Sequence, residues 1–151
     1  MTADAGTAPS VDISGNVRIS GIGSAEIPNY WRLVEPLISS ACKTARGKWD
    51  AGYIRGQLEA GVMQLWLITD GSVLAVCITE IVQHPGKCCC RIRIMTGRER
   101  RRWQHLLEVI ECWAKAQGCD AMELIARPGW SRPLKARNYE VTHLFCEKEL
   151  H

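Results

Sequence analysis

The chain has 151 residues, 46% of them hydrophobic and 23% charged, with a net charge of +3. That length suits one domain, and the apolar content is enough for an ordinary core. No apolar run approaches the roughly 18 residues of a membrane span, and the N-terminus lacks a basic-then-apolar leader, so a reducing cytoplasm is the expected location.

Residues 1–15 are rich in Ala, Gly, Ser, Thr and Asp and read as a flexible tail, or as an arm that orders on a partner; residues 16–151 read as a single domain. Val17-Arg18-Ile19-Ser20-Gly21-Ile22 alternates as a first strand. Trp31, Val34, Ile38, Ala41 and Cys42 then form a helical stripe, which Pro36 is expected to kink or restart. Asp50 fits the N-cap of a second helix that carries Ile54 and Leu58 and closes at Gly61. Residues 62–69 and 72–83 read as strands joined by Asp70-Gly71, a strong hairpin signal.

His84-Pro85-Gly86-Lys87 turns the chain into a third antiparallel strand. Here Cys88, Cys90, Ile92 and Ile94 are expected on one face and Cys89, Arg91, Arg93 and Met95 on the other. Trp103, Leu106, Leu107, Ile110, Trp113 and Ala114 recur at the three- and four-residue spacing of an amphipathic helix, and Gly118 caps it. Residues 119–126 read as a buried strand, which the strand-helix-strand connection makes parallel to the cysteine strand. Arg127-Pro128-Gly129 breaks the chain, residues 131–137 suit a short helix, and residues 141–150 alternate as a final strand.

The chemistry concentrates between Arg91 and Arg102, where six arginines face one glutamate. A loop from a strand into a helix offers unpaired N–H groups and a positive dipole end, and so binds phosphate when small residues allow close approach. Only Gly97 is small in Thr96-Gly97-Arg98-Glu99-Arg100-Arg101-Arg102. A solvated basic edge, a site for a phosphate-bearing ligand and a surface for an acidic partner all remain open. Nucleic acid is the weakest of the partners, because no exposed aromatics accompany the arginines.

The eight cysteines contain no Cys-x-x-Cys pair, and the adjacent Cys88, Cys89 and Cys90 alternate across a strand, so neither a disulfide framework nor a metal set is expected. His84, four residues before Cys88, is a zinc hint outweighed by buried free thiols. Of the six tryptophans, Trp31, Trp66, Trp103 and Trp113 fall on core faces, whereas Trp49 and Trp130 lie at element edges where Trp serves as a turn lock or interface anchor.

This element order resembles the GNAT superfamily of acyl-CoA N-acyltransferases over residues 16–150. The resemblance implies an α/β (α+β) fold whose mixed sheet has an antiparallel meander followed by a parallel βαβ unit, in the order β-α-α-β-β-β-α-β-α-β. Trp113-Ala114-Lys115-Ala116-Gln117-Gly118-Cys119, then Arg127-Pro128-Gly129-Trp130-Ser131-Arg132 and Leu134, are similar to a GNAT-like family common among tailed-phage and prophage proteins.

The family implies acetyl-CoA or another acyl-CoA in a splayed sheet, with the pyrophosphate on a loop that corresponds here to Met95, Thr96, Gly97, Arg98, Arg100, Arg101 and Arg102. An amine would attack the thioester, with a carboxylate or water relay as base and a tyrosine as proton donor. This loop departs from the family's Gln/Arg-x-x-Gly-x-Gly/Ala pattern. Leu134 stands at the tyrosine position, and Asn138-Tyr139 replaces a Gly-Phe pair. Glu80 is the best carboxylate for a base, with His84 at the end of its strand. Two functions follow from the resemblance. One is an acyltransferase of divergent activity; the other is a non-catalytic phage virion or assembly component, which needs no cofactor, binds protein partners and sits in the host cytoplasm or the virion.

Overall fold

Strand alternation builds one six-stranded sheet in chain order: β1 (Val11–Asp12), β2 (Arg18–Ile22), β3 (Met63–Thr69), β4 (Val73–His84), β5 (Lys87–Gly97) and β6 (Ala121–Leu124). The computed structural model describes residues 11–12 and 17–151, so most of the expected N-terminal tail lies outside the described residues. Neighbouring strands are antiparallel except β5 and β6, which are parallel across the intervening helix. The fold is thus the expected mixed α/β sheet, a meander followed by a βαβ unit.

Helices α1 (Ile27–Cys42) and α2 (Ala51–Glu59) cover one face, and α3 (Leu107–Ala116) covers the other. β3 serves both cores. Leu65 and Leu67 pack with Trp31, Val34, Ile38, Ile54 and Leu58, while Trp66 and Ile68 pack with Trp103, Leu106, Ile110 and Trp113. A strand buried on both faces reads as a continuous apolar run, as Met63–Thr69 does.

Four expectations need correction. Helix α1 runs unbroken through Pro36, because the proline sits on the exposed side while Ile27, Trp31, Val34, Ile38 and Cys42 are buried on both sides of it. Exposure lets water satisfy the carbonyl that loses its partner.

The face alternation of β5 reverses partway along. Ile78 pairs with Ile94 but Thr79 pairs with Ile92, so Arg93 is the extra residue of a β-bulge. Cys88, Cys90 and Ile92 pack on the α3 side as expected, but beyond the bulge Met95 joins that side and Ile94 crosses to the α1–α2 side.

β6 is shorter than expected and only half-buried, since it pairs with β5 alone. The expected final strand does not form: residues 139–151 have no regular secondary structure, and Val141, Leu144, Phe145 and Leu150 are exposed. Charge takes this segment elsewhere, as Glu147 pairs with Arg46 and Lys48. The last helix, α4, spans Ser131–Lys135.

Candidate functional site

β5 is eleven residues long, yet β6 follows it only from Cys89↔Ala121 to Ile92↔Leu124. Beyond Ile92 the two strands part. A cleft of about 1220 Å³ opens between them, bordered by Arg93, Met95, Gly97 and Arg100 on one side and by Leu124, Arg127 and Trp130 on the other. The β5 edge facing it has backbone N–H and C=O groups that β6 does not pair.

The loop at the head of the cleft is held by β4. The Arg98 N–H donates to the Leu74 carbonyl at 3.0 Å, and the Trp103 indole N–H donates to the Arg98 carbonyl at 2.8 Å. Glu99 adopts a left-handed conformation (φ 55°), and short 3-10 turns at Arg100–Arg102 and Gln104–Leu106 precede α3. The expected helix therefore starts later than its apolar stripe. Backbone N–H groups of Glu99, Arg100 and Arg101 have no backbone acceptor among the described residues.

The arginines divide by task. Arg102 pairs with Asp70 at 2.9 Å and with Glu99 at 3.3 Å, clamping the loop to the β3–β4 turn. Arg98 reaches the Ser72 hydroxyl at 3.0 Å and Glu99 at 3.4 Å. Arg100 lies over the Trp130 ring at 4.8 Å, and its Nη1 reaches the Gly129 carbonyl at 3.4 Å. Its Nε is buried without a hydrogen-bond partner among the described residues. Arg101 is exposed. All three line the cleft, where Arg101 is exposed, Arg100 packs on Trp130 and Arg102 is committed to Asp70.

The Arg102 hydrogen bond, helped by those from Ser72, holds the Asp70 carboxyl below its ordinary range. A lowered folded-state value makes this contribution complete above the unfolded value near 4 and lost as pH falls through the folded one. Arg102→Ala should therefore lower stability at pH 7, with the difference from wild type shrinking below about pH 4 in denaturant titrations.

Of the other expected site residues, Met95 packs into the α3-side core, and Thr96 and Gly97 end β5 against β4. Gly97 has a packing role: a Cβ there would run into Ala75 Cβ and the Leu74 carbonyl oxygen. The Glu80 carboxylate accepts from Arg93 Nε at 2.7 Å and pairs with its Nη2 at 2.6 Å. Arg93 also lies 5.4 Å from the Trp49 ring centroid. Leu134 is buried, and Asn138 has a φ of 67°, in the left-handed region that favours glycine. The Tyr139 hydroxyl donates to Glu111 at 2.6 Å, and burial together with that carboxylate pushes its pKa well up.

Sequence reasoning missed the far wall of the cleft. Phe145 and Glu147 line it, with Lys48 over the Phe145 ring at 4.6 Å and Glu147 paired to Arg46 at 2.6 Å and Lys48 at 2.7 Å. The only signal was complementary charge between residues 46–48 and 147–149. Trp49 and Trp130, read as edge residues, both line the same cleft.

No family model and no curated protein matches the chain. Solved structures do resemble it. An aminoglycoside acetyltransferase from an uncultured soil metagenomic sample, in complex with trehalose, superposes with a TM-score of 0.63 at 11% identity over 91% of this chain and 100% of its own. A ribosomal-protein-alanine N-acetyltransferase from Brucella melitensis biovar Abortus 2308 gives 0.63 at 16% identity over 89% and 99%. A predicted acetyltransferase from Clostridium acetobutylicum with acetyl-CoA gives 0.63 at 12% identity over 88% and 96%. At such identities the likeness shows the fold, which is that of the GNAT acetyltransferases.

Proposed function

We propose that the cleft binds an acyl-CoA and that the chain is a phage-encoded GNAT-fold acyltransferase of divergent activity. The parting of β5 from β6 after Ile92 carries this reading, because it opens the sheet directly beneath the arginine loop. The groups there fit a pyrophosphate: three amides without backbone acceptors, the orphaned Arg100 Nε and the exposed Arg101. Guanidinium groups make charge-assisted bonds to phosphate that replace a glycine cradle. The unpaired β5 edge offers backbone donors and acceptors to a ligand with amide groups.

An acyl-CoA supplies an activated carbonyl. An amine received in the cleft would form the amide bond as the thioester C–S bond breaks, CoA leaving as the thiol and any surplus amine proton passing to solvent; Glu80, held by Arg93, does not line the cleft. A second reading, binding without turnover in a phage particle or its assembly, is favoured by one observation. The Tyr139 hydroxyl is occupied by Glu111, and Leu134 offers no proton. The similarity of residues 113–134 to tailed-phage and prophage proteins supports the phage source.

Thermal melting with acetyl-CoA and desulfo-CoA tests the site, since a ligand that binds only the native state raises the melting temperature. A rise is expected, and changing Arg100 and Arg101 together to Ala should abolish it. No rise at millimolar ligand sinks the acyl-CoA reading. A rise without free CoA appearing from acetyl-CoA across a panel of amines selects binding without turnover, and recovery of the chain in purified particles would support that role.

A further inference from the structure

The closed end of the β4–β5 hairpin, away from the acyl cleft's arginine loop, holds a mixed donor set on three strands. His84 ends β4, Cys89 lies early in β5, and Glu123 is on β6. Val82 pairs with Cys89, and Arg91 pairs with Glu123, so His84, Cys89, Arg91 and Glu123 share the face opposite α3. One ligand atom from each of His84, Cys89 and Glu123 lies within 4.8 Å of the others.

We propose that His84, Cys89 and Glu123 bind one divalent transition metal, zinc foremost, with a fourth position open to water. Thiolate, imidazole and carboxylate together suit a borderline cation such as zinc, whereas magnesium and calcium prefer oxygen alone. Bond lengths of about 2.0–2.3 Å put tetrahedral ligand atoms roughly 3.3–3.8 Å apart, so the donors need move only by about an ångström. Part of the site is already oriented. Arg91 binds Glu123 Oε1 through Nε at 2.9 Å and Nη2 at 2.8 Å, and His84 Nε2 lies 3.1 Å from Oε1 and 3.3 Å from Oε2, so a metal would enter between the imidazole and Oε2 in place of that direct contact.

Charge and access favour the same assignment. One thiolate and one carboxylate neutralise a dication, with His84 neutral. Cys89 is 4% exposed and forms the floor, while the His84 and Glu123 side chains are 40% and 30% exposed and leave an entry path. Metal binding at Cys89 breaks the S–H bond, forms the metal–sulfur bond and releases the proton to solvent. Cys88 faces the other way, with its Sγ 3.8 Å from Cys119 Sγ, and takes no part.

The metal would clip the hairpin to β6, whose ladder with β5 is only four residue pairs long. The test is cobalt titration of chelator-stripped full-length protein. One equivalent should bind with a thiolate-to-cobalt charge-transfer band, zinc should displace it, and zinc should raise the melting temperature. Cys89→Ser should remove the band and Cys88→Ser should keep it. His84→Ala should weaken binding at least tenfold, about the cost of losing even an outer-shell partner. Should Cys89→Ser fail to fold, His84→Ala and Glu123→Gln decide the matter. Absence of uptake, a band that survives Cys89→Ser, or full affinity in His84→Ala and Glu123→Gln would each overturn the site. Acyl-CoA binding is read separately, through Arg100 and Arg101.

Discussion

Gly97→Ala should destabilise the protein by about 1–3 kcal/mol, the usual cost of forcing an extra methyl into a packed region. The new Cβ would meet Ala75 Cβ, Ala75 Cα and the Leu74 carbonyl oxygen. None of these is the end of a flexible side chain. β4 is paired on both edges, with β3 and with β5, so it cannot retreat. The loop cannot easily lift either, because the next residue's N–H donates to that same Leu74 carbonyl. Gly86 is the control, since a Cβ there has nothing within 4 Å, and Gly86→Ala should leave the urea midpoint nearly unchanged. If Gly97→Ala were equally silent, the end of β5 would not be seated on β4. Because Gly97 leads into the arginine run, its replacement should also diminish any acyl-CoA-induced rise in melting temperature.

Gly97 also illustrates what could be read from the chain. Glycine in a strand-to-helix loop is conspicuous, and its place at the head of the cleft was legible; its reason was not, because Leu74 and Ala75 lie more than twenty residues away. Local signals held well. Asp50 accepts the Tyr53 N–H at 2.7 Å as an N-cap, and Gly71 and Gly118 take positive φ where the turn and the helix end require it. Features set by pairing were hidden. The bulge at Arg93 depends on the register with β4, and it reverses Ile94 and Met95 against a pattern that alternates correctly up to Ile92.

The same distinction runs through the site. A run of arginines was visible as charge, but its division was not, because Asp70, Ser72, Gly129 and Trp130 come from other elements. His84 was weighed with Cys88, whereas the hairpin register sets it beside Cys89 and the parallel ladder brings Glu123 to both. The alternation of residues 141–150 satisfies a strand pattern, yet a strand needs an edge to pair with, and ion pairs at Glu147 draw the segment to Arg46 and Lys48 instead.

The other large loss is expected inside the α3-side core, from Thr79→Val. Thr79 is fully buried and its hydroxyl links two polar side chains from β3. The Trp66 indole N–H donates to Thr79 Oγ1 at 3.1 Å, and that hydroxyl donates to Gln64 Oε1 at 2.9 Å. Valine keeps the shape but leaves the indole N–H without this acceptor and the amide oxygen without this donor. A buried polar group left unpaired costs about 1–3 kcal/mol, the loss expected from the indole N–H alone. The damage should extend to α3, because the Trp66 ring packs edge-on against Trp113 at 5.2 Å. A Thr79→Val variant with an unchanged urea midpoint would show that this hydroxyl does not hold the indole. Cys90, on the adjoining strand, supplies a second readout. Its thiol is pushed up to about 12 by burial, partly offset by its hydrogen bond with Thr79. Losing that hydrogen bond should make Cys90 no more reactive toward a thiol reagent in the native state. Faster labelling would therefore report the core opening rather than a change in the thiol.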